Sequence, residues 1–248
     1  MKQVVVVVCA LVLMTAIVNA QVSPAIRGGN QVGIQTATGI PSDCSPCLWY
    51  SGDSDPGSLN WDGLFNANAA GQGLSGRVYV PFIPAPNANA ANKHVLISSV
   101  TFNLLVTTSD SNPPADFAGM TYEFRKGQVM EGIGGTLGKH GNCSFTTIKF
   151  TQPENGYNEY SFTCHFTTPV KVAVGTIQWV SLYPKFTGSS YAYLSGATDI
   201  PGNQFGWSND LYNSFFTSTT FGANFNASTG FGPGFQGFSV AIAGTYTL

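Results

Sequence analysis

The sequence predicts an all-β fold, a single two-layer β-sandwich of jelly-roll type stapled by disulfides. Three observations predict it. Apolar residues alternate with polar ones in short runs, as at Met120, Tyr122 and Phe124. No stretch carries a 3.6-residue apolar period with caps. Gly, Pro and Asn clusters break the chain at short intervals, which suits many short strands in two layers.

Taken in order, residues 1–20 read as a secretory signal peptide: Lys2, an apolar core from Val4, and Val18-Asn19-Ala20 as the cleavage site. The apolar run is too short for a spanning helix, and no later segment replaces it, so no membrane span is expected after cleavage. Residues 21–41 are Gly- and Thr-rich without apolar period and read as a loose arm. The sandwich is assigned to 42–248. Its entrance, DCSPCLWYSGDSDPGSLNWDG, is either a disulfide-pinned lid or a calcium loop.

Strands are then expected at 78–80, along 95–107 and at 120–125. Runs at 145–151 and 160–166 flank Asn155-Gly156, a strong hairpin signal. A further run covers 170–184 around Trp179. A last one alternates through Phe238, Val240 and Ile242 and resumes at Tyr246, ending the chain inside a sheet.

Without the leader, 9 cations face 12 anions, and the cations are scattered, with Arg125-Lys126 the only adjacent pair. Nucleic-acid binding needs a basic footprint, so that partner class is excluded. Only 9% of the residues are charged, so the surface must be dressed with Ser, Thr and Asn, and self-association stays open. Cys44, Cys47, Cys143 and Cys164 survive processing, an even number suited to two disulfides in an oxidising compartment. Of three connectivities, Cys44–Cys47 with Cys143–Cys164 is the most economical, the second bridge tying neighbouring strands across a hairpin.

Asp53, Asp55, Asn60 and Asp62 supply hard oxygen ligands for a structural Ca²⁺, although Leu64 stands where an EF-hand needs its bidentate Glu. The alternative is an ordinary polar turn at Asp55-Pro56-Gly57. Cys44-Ser45-Pro46-Cys47 has redox spacing without the helix that redox chemistry needs. His140, Cys143, Cys164 and His165 resemble a zinc set, but strand neighbours Cys164 and His165 point to opposite faces. Gly71, Gly73 and Gly76 fit G-x-G-x-x-G by letter but precede a strand, where a phosphate cradle needs a helix.

Catalysis is not expected. The chain lacks G-x-S-x-G and H-E-x-x-H. Of the glutamates, Glu123 falls on the polar side of its strand, and Glu154 and Glu159 fall at a hairpin loop as solvated carboxylates, which leaves no obvious glycosidase pair with Glu131. Trp207, Tyr212, Phe215 and Phe216 are candidate platforms for carbohydrate, set among Asn, Ser and Gly. The same aromatics would otherwise fill the core, and the local excess of Phe over Trp and Tyr favours packing.

YEFRKGQVMEGIGGTL at 122–137 resembles the Y-E-I-R-x-G…G-x-G-G-T-L block of uncharacterised bacterial secreted proteins, many of which carry PEP-CTERM-type sorting tails. LWYSGDSDP…DGL, TTPVKVAVGTIQW and FSVAIAGT resemble that group's opening segment, its G-T-x-W strand and its closing strand, in the same order. This chain has one extra residue before Trp179 and no sorting tail, so anchoring is not carried over. The resemblance implies a bacterial, extracytoplasmic β-sandwich and brings no activity. In such a source the sequons at Asn142 and Asn226 would go unused.

The expectation is therefore a secreted, non-enzymatic protein with a structural or surface-interaction role, the alternative being a carbohydrate-binding module. A calcium loop at 53–62 predicts that EGTA lowers the Tm of the purified protein; an unchanged Tm would leave the polar turn as the reading.

Overall fold

The computed structural model describes residues 22–27, 44–52, 62–84, 93–107, 114–154, 157–197, 214–231 and 237–248. Outside them lie the leader, most of the arm, Asp53, Asp55, Asn60, Trp61, the Asn155-Gly156 turn, Trp207 and Tyr212. Among the described residues the elements are fifteen strands and two short 3-10 turns, at Ala70–Gln72 and Ser228–Phe231.

Eight strands make the first sheet: β1 (Ala25–Arg27), β2 (Cys47–Tyr50), β3 (Asp62–Phe65), β6 (His94–Val106), β9 (Phe145–Glu154), β10 (Tyr157–Ala173), β12 (Ala192–Ser195) and β15 (Val240–Thr247). Seven make the second: β4 (Ala67–Ala69), β5 (Leu74–Phe82), β7 (Phe117–Met130), β8 (Ile133–Asn142), β11 (Gln178–Phe186), β13 (Phe215–Ser218) and β14 (Ala223–Ala227). They pack face to face as an all-β sandwich.

β6 organises the first sheet. One edge pairs with β10 from end to end; the other takes β15 and then β12. With both edges occupied, β6 buries Val100, Phe102 and Leu104 on its inner face, as a strand rich in branched and aromatic residues should. Opposite them stand Val78 and Val80 of β5 and Val180, Leu182 and Phe186 of β11. The intervening residues of β6 are polar: Thr101 meets Thr163 at 2.8 Å, and Asn103 bonds Ser239 and Ser161. Thr101, Thr163 and Ser239 of that ladder are buried, and their hydroxyls are satisfied by one another and by neighbouring amide and carbonyl groups.

Asn66 joins the layers. It separates β3 of the first sheet from β4 of the second and is 0% exposed. Its backbone N–H donates to Ala192 O in the first sheet. Its side chain donates from Nδ2 to Leu182 O at 3.0 Å and accepts at Oδ1 from Val78 N–H at 3.1 Å, both in the second. A short amide with a donor and an acceptor satisfies two backbone groups that the crossover leaves open.

Both disulfides are present, Cys44–Cys47 and Cys143–Cys164. The first lies against Tyr50, Ala241 and Ala243. The second departs from the expected hairpin staple. Cys143 sits between β8 and β9, where the chain leaves the second sheet for the first, and Cys164 lies on β10. Its bridge pins a corner between layers. The run expected across 170–184 is two strands, divided at Gly175, whose φ of 70° belongs to the left-handed region.

Replacing Asn66 with Leu keeps much of the volume and strands Leu182 O and Val78 N–H. Asn66→Leu is expected to cost about 2–6 kcal/mol in urea unfolding, from roughly 1–3 kcal/mol for each of the two orphaned buried groups.

Candidate functional site

The site is a cleft of about 1000 Å³ between β10 on one side and β7, β8 and the start of β11 on the other. Its existence follows from the lengths of neighbouring strands. β9 begins at Phe145, opposite His165, so it pairs with β10 only from Tyr157 to His165; on the other border, with β6, the register shifts between His165 and Val170, with Pro169 inside the shift. Beyond the shift β10 continues to Ala173 with β6 alone.

Val170, Lys171, Val172 and Ala173 all line the cleft, as do Phe124, Arg125, Lys126 and Gly127 of β7. A hollow resting on one face of a strand meets every second residue. Four consecutive residues mean that it runs along the strand's edge. Phe124, Val170 and Val172 give it an apolar floor, each buried in the core cluster.

The rim is cationic. Lys126, Lys139 and Lys171 line the cleft, come from three different strands and are exposed. None has an ion-pair partner among the described residues, and no Asp or Glu lines the cleft. His94 also lines it, its Nδ1 buried without a hydrogen-bond partner among the described residues. Like charges gathered beside low-dielectric walls make a positive potential that holds anions.

One wall is braced by a charge network on the outer face of the second sheet. Glu123 Oε1 pairs with Arg77 Nη1 at 3.1 Å, and Glu123 Oε2 accepts from Arg125 and, at 2.7 Å, from Tyr79 Oη. Arg125 also donates to Gly134 O and lies over the rings of Tyr79 and Phe225, while Arg77 lies over Tyr183. Glu123 is thus spent on holding two arginines. Burial, opposed by Arg77 and reinforced by Glu123, pushes the Tyr79 phenol up to about 12.

The two glycines of the Gly-Gly-Thr-Leu block serve this wall. A side chain at Gly134 would strike the Phe225 ring, and Gly135 holds φ at 62°.

Other expected sites resolve differently. Phe216, a carbohydrate candidate, is 0% exposed in the inter-sheet core, and Phe215, 8% exposed, packs edge-on against Trp179. Strand alternation sends one ring into each apolar cluster, so neither offers a face to a sugar. Asp62 begins β3, while Asp53, Asp55 and Asn60 lie outside the described residues. Cys47 opens β2 rather than a helix, as the structural reading of C-x-x-C requires. His165 stacks on Phe145 and contacts Thr147 at 3.1 Å, while Cys143 and Cys164 are consumed by their bridge. Glu159 is a correction: the hairpin closes tightly, β10 starts at Tyr157, and Glu159 is 1% exposed with Gln152 donating to it at 2.8 Å.

Among the described residues no helix is long and apolar enough to cross a membrane, and no three His, Cys, Asp or Glu side chains gather to hold a metal. Comparison with protein-family models, curated proteins and solved structures gave no match.

A neutral Tyr79 phenol stabilises the fold fully below pH 10 and loses that contribution as pH rises through about 12, because the unfolded phenol ionises first. The stability advantage of the wild type over Tyr79→Phe is therefore expected to shrink between pH 10 and 12 in urea titrations. A constant difference would refute the assignment.

Proposed function

We propose that the protein is a secreted, non-enzymatic interaction protein that captures an anionic ligand in the cleft between β10 and β7–β8. The observation that carries the proposal is the set of three lysines, remote in sequence, around one hollow that no described carboxylate lines. The two disulfides suit an oxidising compartment outside the cytoplasm, consistent with the leader read at 1–20.

A binding role also accounts for where the acids stand. Glu123 is held between Arg77 and Arg125, and Glu159 is buried against Gln152. Neither faces the cleft, and paired carboxylates are what a glycosidase would need there. Capture through lysines is electrostatic, so it weakens as salt rises.

The test is binding to immobilised poly-L-glutamate at low ionic strength, with neutral dextran as the comparison. Wild-type protein is expected to bind the polyanion alone and to be released by roughly 0.5 M salt. Lys171→Glu and Lys139→Glu should each weaken binding by on the order of tenfold, whereas Lys149→Glu, on exposed β9 outside the cleft, should not. Equal loss from all three variants would reduce the effect to net charge and overturn the proposal.

A further inference from the structure

The cleft offers more than charge, because among the described residues its β10 side is an open sheet edge. The N–H of Val174 donates to Lys93 O across the β6 border. In an antiparallel pair, residues that exchange hydrogen bonds alternate with residues that do not. Counting back through the register, Val172 opposite Val95 and Val170 opposite Ile97 are the bonded pairs. Lys171 and Ala173, opposite Leu96 and His94, therefore turn their backbone N–H and C=O groups to the other edge. That is the edge β9 has ceased to cover, and it is the edge along which the cleft runs. Thr176 Oγ1 already donates to Ala173 O, which closes the far end and leaves Lys171 as the central open position.

We infer that the cleft receives an extended polypeptide segment bearing carboxylates, which adds as a strand beside Val170–Ala173. The inference rests on the anionic-capture reading and names the class of ligand. Main-chain hydrogen bonds to Lys171 and Ala173 give such a segment its direction and register. Four residues of β10 offer about 13 Å of edge, enough for a short strand. Side chains alternating along the segment meet two different surfaces: the apolar floor of Phe124, Val170 and Val172, and the lysine rim. An acidic-apolar alternation satisfies both.

Charge selects among occupants. Two copies meeting at this edge would set the Lys171 of each against the other, and like charges facing across strands repel. A neutral glycan would find no exposed aromatic face, since Phe124, the aromatic ring of the lining, is buried in the core cluster. A polyanionic polysaccharide would satisfy the lysines and leave the strand edge unused.

The experiment compares three probes by isothermal titration with the intact protein. They are a ten-residue capped peptide of alternating Glu and Val, the same peptide with every second amide N-methylated, and polygalacturonate. Hydrogen exchange is followed with and without the first peptide. The unmodified peptide is expected to bind at least tenfold more tightly than the methylated one and to slow exchange at Lys171 and Ala173. Lys171→Gln, which keeps the backbone N–H, should retain the discrimination between the two peptides although binding weakens.

Equal affinity of both peptides, or unchanged exchange on β10 during binding, would overturn strand addition while leaving anionic capture intact. So would tight binding of polygalacturonate with no peptide binding. Failure of all three probes would overturn both readings. Protection of Lys171 that grows with protein concentration alone would assign the edge to a second copy and overturn the inference.

Discussion

The sandwich depends on one buried amide at the point where the chain first changes layers. Asn66 lies between two short strands that belong to opposite sheets, with no room for a loop. Such a step breaks backbone pairing on both sides at once, and the interior supplies no water to mend it. Three hydrogen bonds, one to the first sheet and two to the second, mend it with protein groups. The alignment of β4 and β5 against β11 follows from that clamp, and through β11 so does the placement of β7 and the cleft wall.

The cleft illustrates how function-bearing chemistry arises from strand lengths rather than from a motif. β10 outruns β9, whose first residue, Phe145, already stands opposite His165. The second sheet contributes an edge strand, β8, most of whose residues are exposed. Lysines on the β7–β8 hairpin and on β10 of the other sheet then face one space. The Arg77–Glu123–Arg125 network stiffens the wall and leaves one net positive charge there, since its single carboxylate is shared between two guanidinium groups.

Much of the fold was legible because its signals are local. The alternation at Met120, Tyr122 and Phe124, the β-rich run at 95–107 and the two hairpin arms around Asn155-Gly156 each declare a strand within a few residues. The cysteine pairing was legible for the same reason, as a matter of short separations. β8 was not, because Gly-Gly-Thr-Leu-Gly-Lys has little strand propensity and is held by pairing with β7. The candidate site was not legible either. Lys139 and Lys171 are isolated single charges along the chain and Lys126 is joined only by Arg125, and the dispersion that argued against a basic footprint disappears once β7, β8 and β10 are brought together. For Phe215 and Phe216 the local excess of Phe favoured packing over presentation, and both rings are buried.

The bridge at the layer corner has a mechanical consequence. Cys143 and Cys164 enclose β9 and the start of β10, with a sequence separation of 21 residues. Tension applied between the ends of the chain runs through the sulfur–sulfur bond and bypasses that loop. Roughly 70 Å of contour, at about 3.5 Å per extended residue, is thereby withheld from stretching while the bond is oxidised. A sandwich pulled from its two ends would keep β9 out of the stretched path, and reduction alone would release the hidden length.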